Sequence, residues 1–338
     1  MQIKALALIA GFAFCLSAAP GFATTLESVK AEGVVKCGVN TGLPGFGAPD
    51  DVGEWTGFDV DYCRAIAAAV FGDPKKVEFI PATASERFLR LQSGAIDVLT
   101  RNTTWTMSRD TSLNLAFAGV NYYDGQGFMA RKSLGITSAL ELSKASICVQ
   151  TGTTTELNLA DFFKAHNMQY SLVTYEKLDE VNAAYASGRC DAYTADASAL
   201  YAIRLSQTNP EEHIVLPQVI SKEPLGPAVR QGDEQWLNIV KWTHFALLNA
   251  EEYGVTSENV DEMKNSSNGN IRRLLGVEGE FGQAIGLSND WAYNVIKTMG
   301  NYGQIFDRNL GSGSKLGIAR GLNAMWGDGG LQYAPPIR

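Results

Sequence analysis

The chain carries one short pattern twice. LQSGAIDVLT (residues 91–100) returns as YASGRCDAYT (residues 185–194), with Ser-Gly on Ser-Gly, Asp on Asp and Thr on Thr. Each copy reads as the end of a helix, a glycine stop, and a strand opened by an acidic residue. Five residues after its aspartate, each copy delivers a polar side chain, Asn102 in the first and Asp196 in the second. The surroundings repeat too: VVKCGVN (34–40) and ASICVQT (145–151) are short apolar strands with one cysteine each. A spacing of about 95 to 110 residues is too long for a solenoid. The repeat therefore predicts two lobes of one topology facing each other across a cleft.

Residues 1–23 read as a secretory signal. Lys4 supplies the positive start, ALALIAGFAFCLSAA the apolar stretch, and Gly21, Phe22 and Ala23 the cleavage site. The apolar run of about 15 residues is short of the roughly 20 that a bilayer needs. Cys15 follows Phe14, where lipoprotein processing wants a small residue, so the product is expected to be soluble and unanchored. Beyond Ala23 stand 27 basic and 36 acidic residues, a balance of −9, which argues against a nucleic-acid surface. Cys37, Cys63, Cys148 and Cys190 remain, an even count in an exported chain, so disulfides are expected. Four cysteines allow three pairings, and the repeat favours one per lobe: Cys37 with Cys63, and Cys148 with Cys190.

From Val34 strands and helices alternate. FDVDYCRAIAAAVFG and SERFLRLQSG read as helices between the strands VVKCGVN, VEFIPA and AIDVLT. The second lobe restarts at SICVQTG and alternates through TTTELNLADFFKAH, QYSLVTY, LDEVNAAYASG, CDAYTAD and SALYAIRLSQ. Such alternation predicts an α/β protein with mainly parallel sheets flanked by helices. EPLGPAVRQGDEQW (223–236) carries the next turn signals, and a long helix follows. Past Val255 the chain turns rich in Gly and Asn with scattered aromatics (Trp291, Tyr293, Tyr302, Phe306, Trp326). Short packed helices are expected there, because those aromatics need burial.

In open α/β sheets ligands bind beyond the carboxyl ends of the strands. Three segments there are chemically loaded. In RNTTWTMSRD (101–110), Asn102, Thr103, Thr104 and Thr106 offer polar groups and Arg109 a planar fork for a carboxylate. In TGTTTE (151–156), Thr153 and Thr154 lie at a helix start, where free N–H groups and the helix dipole favour an anion. Thr153 also suits the role of helix cap, with Glu156 as its partner. Asp196 closes its strand as an acceptor with no basic neighbour in sequence. A carboxylate site and an ammonium acceptor on two facing lobes describe a pocket for a zwitterion.

At these residues the chain resembles the periplasmic amino-acid-binding proteins of ABC uptake systems, family 3 of the solute-binding proteins. The resemblance covers about residues 34–254. It implies a two-lobed, type II periplasmic-binding-protein fold with a mixed, mainly parallel sheet in each lobe and a two-crossing hinge, matching GFMARK (127–132) and GPAVRQGD (226–233). Lobe 1 is expected over residues 24–130 and 226–338, with a C-terminal extension from about 256, and lobe 2 over residues 131–225. In the family a Ser or Thr followed five residues later by Arg grips the α-carboxylate, matching Thr104 and Arg109. A G-T-T helix start adds donors, matching Gly152, Thr153 and Thr154. The last residue of D-A-x-x-x-D takes the α-amino group, matching Asp196, and Asn102 joins the same site. The loop after the first strand supplies an aromatic lid, matching Phe46. Acidic-amino-acid receptors carry an Arg in the second helix of lobe one, here Arg87. They also place an Arg after the first strand and a His in lobe two, where this chain has Asn40 and Leu178.

The tail resembles that of the general L-amino-acid-binding branch, down to its YAPPIR ending. The resemblance thus implies a monomeric periplasmic receptor for L-amino acids, broad in selectivity with a polar and acidic preference. It delivers its ligand to the permease subunits of an ABC importer and uses no cofactor, metal or nucleic acid. The rival readings are a periplasmic dehydratase-type enzyme on the same fold and a sensory binding module. An enzyme needs a positioned acid or base. His166, His213 and His244 lie outside the strand-end segments, which leaves Glu54 and Glu156 as its acids.

Overall fold

The computed structural model describes residues 23–338. The expected export signal at residues 1–23 lies outside the described residues, apart from Ala23.

The first lobe opens with α1 (Thr25–Glu32) and β1 (Val35–Val39). A ribbon of β2 (Ala48–Pro49) and β3 (Trp55–Thr56) leads into α2 (Phe58–Phe71), β4 (Val77–Pro81), α3 (Arg87–Gln92), β5 (Val98–Leu99), α4 (Met107–Thr111) and β6 (Leu115–Phe117). β7 (Tyr122–Asp124) and β8 (Gln126–Arg131) carry the chain across. There follow β9 (Ser146–Gln150), α5 (Thr154–Ala165), β10 (Ser171–Tyr175), α6 (Leu178–Ala186), β11 (Ala192–Asp196), α7 (Ala197–Leu205) and β12 (His213–Val215). The return runs through β13 (Glu223–Leu225) and β14 (Ala228–Arg230) into α8 (Glu234–Glu252).

The two sheets repeat one topology. One has the order β4-β1-β5-β14-β6 and the other β10-β9-β11-β8-β12. In each, a first strand lies between two parallel partners: β1 between β4 and β5, β9 between β10 and β11. An antiparallel strand from a crossing segment then extends each sheet. This is the architecture of type II periplasmic binding proteins. The repeated ten-residue pattern occupies the same place in both sheets, running from the end of α3 or α6 into β5 or β11.

The expected lobe boundary after residue 130 falls inside β8, whose residues pair with β11 and β12 in the second sheet. The first crossing therefore lies at Gly125. The glycine-interrupted segment from β6 through β8 supplies strands to three different sheets. At the hinge itself β7 and β13 form a two-stranded antiparallel ribbon that pairs Asp124 with Glu223. Gly226 is required there, because a Cβ would sit 2.0 Å from the carbonyl oxygen of Gly119, between β6 and β7.

Each lobe carries one disulfide, Cys37–Cys63 tying β1 to α2 and Cys148–Cys190 tying β9 to the entry of β11. The tail forms α9 (Val260–Met263), α10 (Gly269–Leu274), α11 (Phe281–Ala284), α12 (Trp291–Met299) and α13 (Tyr302–Asn309). Of these, α12 and α13 pack on α2 and α8 of the first lobe, α10 packs on α8, and α9 packs on α12. Trp291, Tyr302 and Phe306 are buried as their size demands. Trp326 departs from that expectation, being 53 % exposed and edge-on to Tyr333. The tail also grips the hinge. Asn323 donates to the Tyr123 carbonyl and accepts from its N–H, so one side chain pairs the backbone of β7 as a neighbouring strand would.

Candidate functional site

A cavity of about 50 Å³ lies between the carboxyl ends of the strands of both sheets. The first lobe contributes Asn40 from the end of β1, Arg87 from α3, and Arg101, Asn102 and Thr104 from the segment after β5. The second contributes Gln150 and Thr153 to Thr155 around the start of α5, and Tyr193 to Asp196 from β11. Leu43, Leu178, Ala199 and Ile203 supply its apolar wall. Close approach of the lobes shows at Gly152, where a Cβ would lie 2.9 Å from the Ser85 hydroxyl across the cleft.

The two polar residues that end the repeat meet. Asn102 donates its amide to the Asp196 carboxylate at 3.3 Å, one lobe to the other. Asn102 is itself positioned by Asn40, which donates to its side-chain oxygen, and by Asp59, which accepts its backbone N–H at 2.8 Å. Asp196 is nearly inaccessible to solvent and begins α7 without capping it through its side chain. Burial pushes its carboxyl well above the usual range, and the nearby Asp124 and Glu223 push the same way. A buried carboxyl of this kind gains most from a cation brought to it.

Facing it are cations that burial disfavours. Arg87 donates to the Thr103 hydroxyl at 3.2 Å and lies over the Phe88 ring, but its Nε has no partner among the described residues. Burial, then Arg101 and Arg109, hold its guanidinium well below the usual range. Arg101 donates through Nε to the Ala82 carbonyl at 2.9 Å, while its Nη2 has no partner among the described residues. Burial lowers it to about 10. Sequence reasoning passed over Arg101, because an arginine directly after a strand has no periodicity to mark where it faces.

Thr153 caps α5 by accepting the Glu156 N–H, so the capping role holds alongside its place in the cavity wall. The remaining first-turn N–H groups of α5 face the anion-favouring end of its dipole.

Two expected contact residues stand off the cavity. Phe46 is 1 % exposed and packs edge-on against Phe58 and Tyr122, so the large ring stabilises the first-lobe core; Leu43 of the same loop reaches the cavity in its place. Arg109 donates to the Thr104 carbonyl at 2.7 Å and lies over Phe88. It braces the Thr104 segment from behind.

Glu223, at the start of β13, alters what the threonines can do. Its carboxylate accepts from the Thr104 hydroxyl at 2.5 Å and the Thr154 hydroxyl at 2.9 Å. It also accepts from Asn158 at 2.7 Å and Ser221 at 2.6 Å. A hydroxyl has one proton to give. With both protons committed to Glu223, the Thr104 and Thr154 oxygens face a ligand as acceptors, not as the carboxylate donors that the family resemblance implies. In the sequence Glu223 stands among turn signals, and only the fold brings it between the lobes.

The three histidines are spent elsewhere. His244 bonds Tyr62 at 2.9 Å in the core and is lowered by burial to about 4. His213 bonds Tyr185 at 2.8 Å, and His166 a carbonyl of its own helix. Glu54 is exposed, and Glu156 accepts from the Gly152 N–H. Among the described residues no helix is long and apolar enough to cross a membrane.

Residues 35–259 match the family model for bacterial extracellular solute-binding proteins, family 3. The chain is 63% identical, over the full length of both, to the general L-amino acid-binding periplasmic protein AapJ of Rhizobium johnstonii. It is 56% identical, over 96% of each chain, to the glutamate/glutamine/aspartate/asparagine-binding protein BztA of Rhodobacter capsulatus. Among solved structures, a periplasmic binding protein of an ABC transporter from Brucella ovis, with glutathione bound, superposes with a TM-score of 0.92. It shares 63% identity, over 94% of this chain and 100% of that one.

Proposed function

Because the chain belongs to the bacterial extracellular solute-binding proteins of family 3, we propose that it is a periplasmic receptor that closes on an L-amino acid and delivers it to the permease subunits of an ABC importer. It is broad in selectivity, prefers polar and acidic side chains, and works as an exported monomer, with residues 1–23 as its signal. The observation that carries this reading is the meeting of Asn102 and Asp196 across the cleft, beside the guanidinium of Arg87 and the start of α5. A zwitterion answers both halves. Its ammonium pairs with Asp196 and finds the acceptor oxygen of Thr104, while its carboxylate takes the first-turn N–H groups of α5 near Thr153 and Thr154. Asn40 and Asn102 orient the acceptor side, and Arg109 fixes the Thr104 backbone. Contributions from both lobes tie binding to closure about the β7–β13 hinge.

Relatives at this identity are solute-binding transport proteins, and the cavity's own groups suit holding a ligand. The histidines that acid–base chemistry would draw on are bound elsewhere. A thermal-shift panel of the twenty L-amino acids, with their D-enantiomers, tests the reading. L-Amino acids are expected to raise the melting point in proportion to ln(1 + [L]/Kd). A flat response across the panel would overturn the receptor reading.

A further inference from the structure

The cavity's charges do not match a neutral zwitterion. Among the described residues its charged lining consists of one carboxylate, Asp196, and two guanidiniums, Arg87 and Arg101. A third anion-favouring group is the start of α5, a twelve-residue helix whose first turn reaches the same cavity. The α-ammonium and α-carboxylate of an amino acid answer Asp196 and the α5 terminus. Two guanidiniums are then left over, each buried and each with an N–H that no described residue accepts. Guanidinium keeps its charge, so a buried one without a counter-ion is costly.

The surroundings do not cancel them. Arg109 and Glu223 attract each other outside the cavity lining. Asp59 lies near Arg101, but its carboxylate is occupied by the Asn102 N–H, and burial raises it to about 7. It therefore carries only part of a charge near neutrality.

Resting on the receptor reading above, we propose that Arg101 is a second specificity-determining residue. Together with Arg87 it holds the distal carboxylate of a dicarboxylic L-amino acid, so the preferred ligands are glutamate and aspartate in their singly negative form. Arg101 takes this place because its Nε is fixed to the Ala82 carbonyl, just past β4, and Ala82 in turn donates its N–H to the end of β1. That anchoring puts a guanidinium beside Asn40, the position at which the sequence lacks an arginine. Two bound cations that share one planar anion also relieve the mutual repulsion that disfavours them.

Titration calorimetry with the isosteric pair glutamate and glutamine, and with alanine, tests this on the intact protein and on Arg101→Gln and Arg101→Lys. The intact protein should bind glutamate at least 10-fold more tightly than glutamine. Arg101→Gln should weaken glutamate by about 10- to 100-fold, the range for one charge-assisted hydrogen bond, and glutamine or alanine by less than about threefold. Arg101→Lys should recover part of the glutamate loss. A parallel loss for all three ligands would make Arg101 a support of the shared zwitterion site and overturn the proposal, as would unchanged glutamate binding. If Arg101→Gln fails to fold, equal affinity of the intact protein for glutamate and glutamine overturns it just as well. Binding of alanine and glutamine by the intact protein with no preference for glutamate leaves the receptor reading standing and removes only this one.

Discussion

Glu223→Gln is expected to weaken every amino-acid ligand to the same degree. The residue sits on the hinge strand β13 and accepts from Thr104 of the first lobe and from Thr154 and Asn158 of the second. It therefore joins both lobes to the hinge only when they are close together. Glutamine keeps the shape but replaces one acceptor oxygen with an amide that donates. The paired threonine hydroxyls share one oxygen of Glu223, while Asn158 and Ser221 share the other. Whichever side receives the new N–H must turn its donors away. Hydrogen bonds to a charged acceptor contribute about 1.5–3 kcal/mol each. With one rearranged bond partly recovered, the net loss in the closed state should be about 1.5–3 kcal/mol, or roughly 10- to 150-fold in apparent Kd. Titration calorimetry with glutamate, glutamine and alanine reads this, with small-angle scattering following the shift towards open lobes at subsaturating ligand. The loss should be parallel across the three, in contrast to the selective loss at Arg101. Native affinity in Glu223→Gln, or a loss confined to glutamate, would refute a closure role for this carboxylate.

Burial raises the Asp59 carboxyl to about 7. A folded-state value above the unfolded one adds stability in full below about 4, and this is lost as pH rises through about 7. Calorimetric unfolding of the ligand-free protein should show stability falling across that window by on the order of 4 kcal/mol at most, and Asp59→Asn should flatten the fall. Asp196, raised by burial and by Asp124 and Glu223, must ionise to receive an ammonium. Amino-acid binding should therefore release protons and tighten as pH rises, which titration in buffers of different ionisation enthalpy would detect; Asp196→Ala should lose about 3–5 kcal/mol of binding. Non-reduced peptide mapping should find Cys37–Cys63 and Cys148–Cys190, which close loops with sequence separations of 26 and 42. Reducing either should cost about 3–4 kcal/mol, and recovery of a Cys37–Cys148 peptide would contradict the one-per-lobe pairing.

Much of the fold was legible because it rests on local signals that occur twice. The Ser-Gly stops at Gly94 and Gly188, the aspartates that follow, and the cysteine-bearing strands all report chain geometry within ten residues. They place Asn102 and Asp196 at equivalent strand ends, and those two residues meet. Long-range placement left less trace. β12 is three residues with a half-buried face, too short for an alternation to be read. The first crossing was expected at GFMARK (127–132), a few residues too late, because β8 reads as a strand in either lobe and only its pairing with β11 and β12 decides which. Phe46 shows the same limit within a single loop. An aromatic among glycines suits a lid and a core plug equally, and its packing against Phe58 and Tyr122 decides for the core. Thr104 and Thr154 line the cavity, but where their hydroxyl protons go depends on Glu223, 119 and 69 residues further along.

The opposed charge shifts in the cavity follow from one cause and lead to one consequence. Burial pushes Asp196 up and Arg87 and Arg101 down, so it disfavours the charged form of each group. Direct pairing between the lobes would neutralise them, but the group that the first lobe places on Asp196 is a neutral amide, Asn102. Closure thus shuts the two like-charged guanidiniums of the first lobe away from water and leaves the carboxylate only weakly compensated, a burden that grows as water is excluded. A ligand carrying an ammonium and carboxylates supplies each group with its missing partner in a single step. Apolar ligands of equal size supply none of them, however well they fill the wall formed by Leu43, Leu178 and Ile203. Selection for amino acids over other small solutes then resides in the electrostatics of closure, with the apolar wall left free to admit side chains of differing shape.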